Sequence, residues 1–247
     1  MSDEWDFYAC RVDGEPASIF LDMGVGRSAP ISDFDKNAYI RVWMKTPRPD
    51  GLSSQEEYDT LVAIEEALEA AFGPTDSTLY VGRNTSSGCR DFYFYTRDQD
   101  DFRASASSAM SNFSDYKTEI GVRPDENWGV YFDFLYPNSD QKQVMANRGV
   151  IEALGKNGDD CSRPRHIDHL IIVGDRTQAD AIDRAVTGRG FKLKAGTPTE
   201  QADAQWWVEF EKPEAPLEID ETTVMLSRLA DEHAGEYDGW GCEAVSV

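Results

Sequence analysis

The chain is poor in positive charge: it has 8 Lys and 24 basic residues in all, against 46 acidic ones, for a net charge of −22. That excludes a surface built to hold a nucleic-acid backbone, because phosphate binding needs clustered Lys and Arg that release counterions. Long apolar runs are missing as well. No stretch approaches the roughly 18 residues of a membrane helix. The opening Met1-Ser-Asp-Glu-Trp-Asp6 lacks the basic and apolar regions of a secretory signal, so a cytoplasmic protein is expected. Cys10, Cys89, Cys161 and Cys242 form no Cys-x-x-Cys pair, which excludes a zinc knuckle and a dithiol redox motif and leaves free thiols.

What is present suits packed cores. Hydrophobic residues make up 40% of the 247, with 12 Phe, 10 Tyr and 6 Trp, enough large side chains for two small globular domains. The acidic excess is shared: residues 1–162 carry 29 acidic and 15 basic groups (−14), and residues 163–247 carry 17 and 9 (−8). Such a surface favours encounter with basic proteins, and it also serves plain solubility or a salty cytoplasm.

Strand-forming residues at 5–12 and 17–23 flank Asp13-Gly-Glu-Pro16, a hairpin composition. A strand over 38–45 follows. Leu61, Ile64, Leu68 and Phe72 recur at helical spacing after Ser53 or Ser54, while Glu65, Glu66 and Glu69 read as a solvated face, and Gly73-Pro74 ends the helix. Strands at 78–83 and 90–96 enclose a Gly-containing loop, and Phe92 to Tyr95 put aromatics on both faces of the second, as in a core strand. A helix over 98–113, strands over 116–122 and 129–136, and a helix ending near Leu154 complete the first domain. The apolar-poor stretch 155–164 reads as a linker. This makes residues 1–157 one domain and 163–247 another. The second reads as strand 166–173, helix 176–188 capped by Thr177, strands 190–195 and 205–211, helix 219–234 capped by Asp220, and strand 236–245. The fold class is α+β, each domain an antiparallel sheet with helices on one face, the second a ferredoxin-like βαββαβ unit and the first an elaborated version of it.

Arg165-His-Ile-Asp-His-Leu170, Gly190-Phe191, Trp206-Trp-Val208 and above all His233-Ala-Gly-Glu-Tyr-Asp-Gly-Trp-Gly241 resemble the ribonuclease E inhibitor family of the RraB type. The resemblance covers the last third of the chain. It implies a ferredoxin-like, acidic cytoplasmic protein that binds a ribonuclease and regulates it without chemistry of its own; inhibitors of that family lack the large domain placed in front here. Trp5-Asp-Phe-Tyr8, Pro16-Ala-Ser-Ile-Phe20, Asp50-Gly-Leu52, Tyr80-Val-Gly-Arg83, Phe92-Tyr-Phe-Tyr-Thr96, Trp128 and Tyr131 to Pro137 resemble the bacterial domain of unknown function 695, which brings no biochemistry.

No catalytic set assembles. His166 and His169, three apart on a strand, face opposite sides and do not chelate one ion. His233 suits a helix C-terminus, where a cationic ring complements the dipole. Cys242 has Gly241 and Glu243 as neighbours and no basic residue beside it in sequence to lower its pKa. Glu209 and Glu211 share a strand face, but among 46 carboxylates such pairs arise by chance. No cofactor and no metal is expected. Glu236, Tyr237, Asp238 and Trp240 are the candidate partner-binding residues. In that run Gly235 suits a helix stop, and Tyr237 and Trp240 face opposite sides unless a bulge intervenes. The expected function is a non-catalytic regulator that binds a protein partner; the alternative is an enzyme with a site in the N-terminal domain or the interdomain cleft.

Overall fold

Along β5 (Cys89–Thr96) Phe92 and Phe94 alternate with Asp91, Tyr93 and Tyr95, and every residue from Arg90 to Thr96 is buried in the computed structural model, which describes residues 2, 4–73 and 77–245. A strand so composed needs cover on both faces. It lies inside a six-stranded antiparallel sheet of order β1-β2-β4-β5-β3-β6, formed with β1 (Trp5–Val12), β2 (Glu15–Asp22), β3 (Lys36–Trp43), β4 (Thr78–Ser86) and β6 (Thr118–Pro124). One face packs Ile40, Val42, Phe92 and Phe94 against Leu61, Ile64 and Leu68 of α1 (Gln55–Phe72) and Phe102 and Ala106 of α2 (Gln99–Met110). Gly73 is the C-cap of α1, and Pro74 lies outside the described residues.

Two expectations about this unit are corrected. Glu65 is not on a solvated face: it is buried, accepts a hydrogen bond from the Tyr80 hydroxyl at 2.8 Å and pairs with Arg83, so β4 supplies it with partners that the periodicity of α1 cannot reveal. Residues 129–136 are not a strand. Val130–Leu135 form a short π-helical turn, and Trp128, Tyr131 and Leu135, spaced as on a helix face, are fully buried. Asp125 fixes the turn by accepting from the backbone N–H of Gly129 (2.8 Å) and Val130 (3.0 Å) and from the Tyr95 hydroxyl (2.6 Å). This segment covers part of the second sheet face, where Trp128 stacks on Tyr95 and Tyr8 donates to the Leu135 carbonyl.

The chain divides into compact units Met1–Pro137 and Asn138–Val247, not at 157–163. The reason is α3 (Ser139–Lys156), opened by a capping box between Asn138 and Gln141: it packs on α5 (Asp220–Glu232). The polar stretch after α3 is anchored rather than loose. Asp159 is buried, binds Arg165 Nη2 at 2.6 Å and accepts from the Val245 N–H at 2.6 Å.

The second unit continues with β7 (Arg165–Val173), α4 (Arg176–Gly188), β8 (Lys192–Leu193), β9 (Thr199–Glu200), β10 (Trp206–Glu214), α5 and β11 (Glu236–Cys242). Its sheet order β11-β7-β10-β8 matches β6-β3-β5-β4 of the first unit, so both units share one split βαββαβ frame. Helix α4 is capped by Asp175 in a reciprocal box with Gln178, not by Thr177. Asp220 is the first residue of α5 and makes no cap bond there; its carboxylate accepts from Asn147 instead.

The end of α5 is a Schellman motif: the Gly235 N–H bonds the Ala230 carbonyl at 2.8 Å and the Ala234 N–H the Asp231 carbonyl at 3.0 Å. The left-handed position is held by Ala234 (φ 50°), not by glycine. Gly235 is needed for closeness, since a Cβ there would lie 2.6 Å from Val173 Cγ1 and 2.7 Å from the Ile172 carbonyl oxygen. Ala234→Gly is therefore expected to stabilise by about 1 kcal/mol and Gly235→Ala to destabilise by about 2 kcal/mol; urea unfolding of the full chain measures both signs.

Candidate functional site

Plain alternation along β11, the edge strand beside β7, would turn Tyr237 and Trp240 to opposite faces. The backbone avoids this with a bulge: Tyr237 pairs with Ile171 and Gly239 with Leu170, leaving Asp238 as the extra residue. Gly239 supplies the φ of 121° that this path requires. Both rings consequently face the helices. The Tyr237 hydroxyl meets His169 Nδ1 at 2.9 Å, and Trp240 Nε1 donates to Asn147 Oδ1 at 2.9 Å. Glu236 and Asp238 are exposed.

Asn147, fully buried on α3, uses its whole hydrogen-bonding capacity. Its Oδ1 accepts from Trp240 and from Gln143 Nε2 (3.0 Å), while Nδ2 donates to Asp220 Oδ1 and Thr223 Oγ1, each at 2.7 Å. Nothing in the sequence marked this residue, since a lone helical Asn has no distinguishing pattern.

His169 is 3% exposed and lies between Phe210 (5.6 Å, stacked) and Phe191 (5.6 Å, edge-on). Burial lowers its pKa from 6.5 to about 4, with Asp168 pulling it up and Lys212 pushing it down. Between these values the unfolded chain takes up a proton that the folded chain refuses. Stability contributed at this site is therefore complete above pH 6.5 and falls as pH drops toward 4, by up to about 3 kcal/mol. Unfolding free energies of wild type and His169→Gln over that range should diverge, with the variant flatter; parallel curves would contradict a buried neutral ring. Burial also holds the Tyr237 hydroxyl well above the ordinary phenol range.

The opposite face of this sheet is open. A groove of about 250 Å³ runs over it, lined by Asp168, Leu170, Lys194, Glu209, Asp238 and Gly239. Gly239 and Gly241 leave the β11 backbone bare, with nothing within 4 Å of where a Cβ would stand. Carboxylates border this strip, and the nearby lysines are engaged: Lys194 binds Asp168 at 2.5 Å and Lys192 binds Glu211 at 3.3 Å, with His166 Nδ1 also 3.3 Å from Glu211. His166 and His169 do face opposite sides, one exposed and the other buried.

Cys242 does have a basic neighbour, which comes from β7: Arg165 Nε lies 3.2 Å from its Sγ. His233 is the C-cap residue of α5. Asp100 and Asp101 sit in the first turn of α2, their N–H groups bound by Asp98. Among the described residues no group of three or more His, Cys, Asp or Glu is placed to hold a metal ion, and no helix is long and apolar enough to cross a membrane.

Residues 145–242 match the family model described as Regulator of ribonuclease activity B, which supports a regulatory, non-catalytic role. The match begins inside α3, so the part of that helix that carries Asn147 belongs to the matched region. No curated protein matches the chain. Among solved structures, one described as an unknown protein from Galdieria sulphuraria is similar at 11% identity, covering 85% of this chain and 98% of that one, with a TM-score of 0.21. Residues 3–136, more than half of the length, match the model of a family of unknown function, DUF695, and the chain belongs to that family.

Proposed function

We propose that this protein is a cytoplasmic regulator whose C-terminal unit binds a basic segment of a ribonuclease and restrains RNA cleavage, without contacting nucleic acid itself. The match of residues 145–242 to a regulator of ribonuclease activity carries the reading. The contact is the open sheet face. There Glu236 and Asp238 flank bare backbone at Gly239 and Gly241, with Asp168 and Glu209 alongside, and a Lys- or Arg-rich segment finds both charge complementarity and room for close approach. Tyr237 and Trp240 contribute by holding the bulge that presents Asp238.

Attraction of this kind weakens with salt. Full-length protein used as bait in a native lysate should retain a ribonuclease at low ionic strength and release it as salt rises. Retention of no ribonuclease, or capture indifferent to salt, would remove the proposal.

A further inference from the structure

The N-terminal unit has a polar pocket of about 400 Å³ on the sheet face away from α1 and α2. Its floor is one register row across three strands, with Asn84 opposite Asp91 and Asp91 opposite Arg41. Arg41 donates through Nε to Asp91 Oδ1 at 2.7 Å and through Nη2 to Oδ2 at 2.6 Å, and the Tyr93 hydroxyl adds a bond to Oδ2 at 3.3 Å. Asp91 is thereby buried and fixed, while the Arg41 side chain stays 41% exposed, with Nη1 free of that pair.

Asn84 is the less expected member of the row. It is 4% exposed, and its Nδ2 donates to Ser86 Oγ at 2.9 Å, yet its buried Oδ1 has no hydrogen-bond partner among the described residues. A buried acceptor left unpaired costs about 1–3 kcal/mol, and such groups in a fold call for a specific reason. Arg123 and Asp13, both exposed, bring a second cation and a second anion to the lining, and Val130 and Phe134 form an apolar wall. Cys89, also in the lining, is kept as a thiol by burial, which raises its pKa, so the pocket holds no thiolate nucleophile.

We propose that this pocket binds a small zwitterion of the free α-amino-acid class with an apolar side chain. The ligand carboxylate meets the Arg41 and Arg123 guanidinium groups, its ammonium donates to Asn84 Oδ1 beside the Asp91 carboxylate, and its side chain lies on Val130 and Phe134. Two cations and two anions in the lining match a ligand of zero net charge, whereas a simple anion or cation would leave one pair uncompensated. This assignment does not depend on the ribonuclease reading.

Isothermal titration of the full chain with L-phenylalanine and L-leucine tests it. Saturable binding is expected, weakened about tenfold or more for 3-phenylpropionate, which lacks the ammonium, and for phenethylamine, which lacks the carboxylate. Arg123→Ala, at an exposed position that leaves the fold intact, should weaken L-phenylalanine binding about tenfold, and Asn84→Leu by a similar factor. No saturable binding of either amino acid at millimolar concentration would overturn the proposal, as would affinities unchanged in both variants or equal for all three aromatic probes.

Discussion

Replacing Trp128 by Ala is expected to cost the N-terminal unit about 3–5 kcal/mol, the usual range for removing a large buried aromatic ring. Trp128 is fully buried and stacks on Tyr95 at 3.8 Å between centroids with 4° between planes. It also touches Tyr131 edge-on at 6.0 Å and donates from Nε1 to the Phe34 carbonyl at 2.9 Å. It thus joins the 125–136 segment both to the sheet and to the loop before β3. Trp128→Phe separates the parts: it keeps a ring on Tyr95 and loses the bond to Phe34, for about 1–2 kcal/mol. Urea unfolding of the full chain ranks wild type above Trp128→Phe above Trp128→Ala. Equal stability of the two variants would mean that the stack contributes nothing.

Asn147→Leu is the second large effect, about 3–4 kcal/mol in the C-terminal unit. The volume change is small, so the loss comes from polarity: Trp240 Nε1, Asp220 Oδ1 and Thr223 Oγ1 all lose their Asn147 partner in one step. Thr223→Val removes only one of those bonds and should cost about 1 kcal/mol. Hydrogen exchange at the amides of α5 and β11 reports the same hierarchy site by site. Unchanged protection in Asn147→Leu would show that packing alone holds α3, α5 and β11 together.

These two residues differ in how far the sequence discloses them. Trp128, Tyr131 and Leu135 carry helical spacing, but the run from Val130 to Tyr136 is so rich in β-forming residues that it reads as a strand; what decides the outcome is Asp125, four and five residues before the N–H groups it binds. Asn147 has no such local signal, because apart from Gln143 on its own helix its partners lie more than seventy residues away. Where periodicity and punctuation agree, the reading is close: α4 spans the expected residues, and the aromatic faces of β5 mark a core strand. It fails where a charged side chain finds a partner outside its own element, as with Glu65 of α1 and Arg83 of β4, or Asp159 and Arg165 of β7.

The closing Gly235 to Gly241 run shows the same division. Glycine, tyrosine and tryptophan there are legible as a helix stop and turn at the opening of the final strand, with a bulge as the condition for both rings to share a face. That the bulge falls at Asp238, and so sends the rings to the helices and the carboxylates to solvent, depends on register with β7. The pocket over Asn84, Asp91 and Arg41 was not legible at all. Its members are scattered over three strands, and they become one row only through the pairing of β4 with β5 and of β5 with β3.

Regulation through the open acidic face is tested most directly by RNA cleavage with purified ribonuclease E and increasing amounts of the full-length chain, wild type against the double variant Glu236→Lys, Asp238→Lys. Both substitutions lie at exposed positions, so the fold should be kept. The account predicts that cleavage slows with wild-type protein and that the double variant restores it. Cleavage unaffected by a saturating excess of wild type, or slowed equally by both proteins, would contradict it.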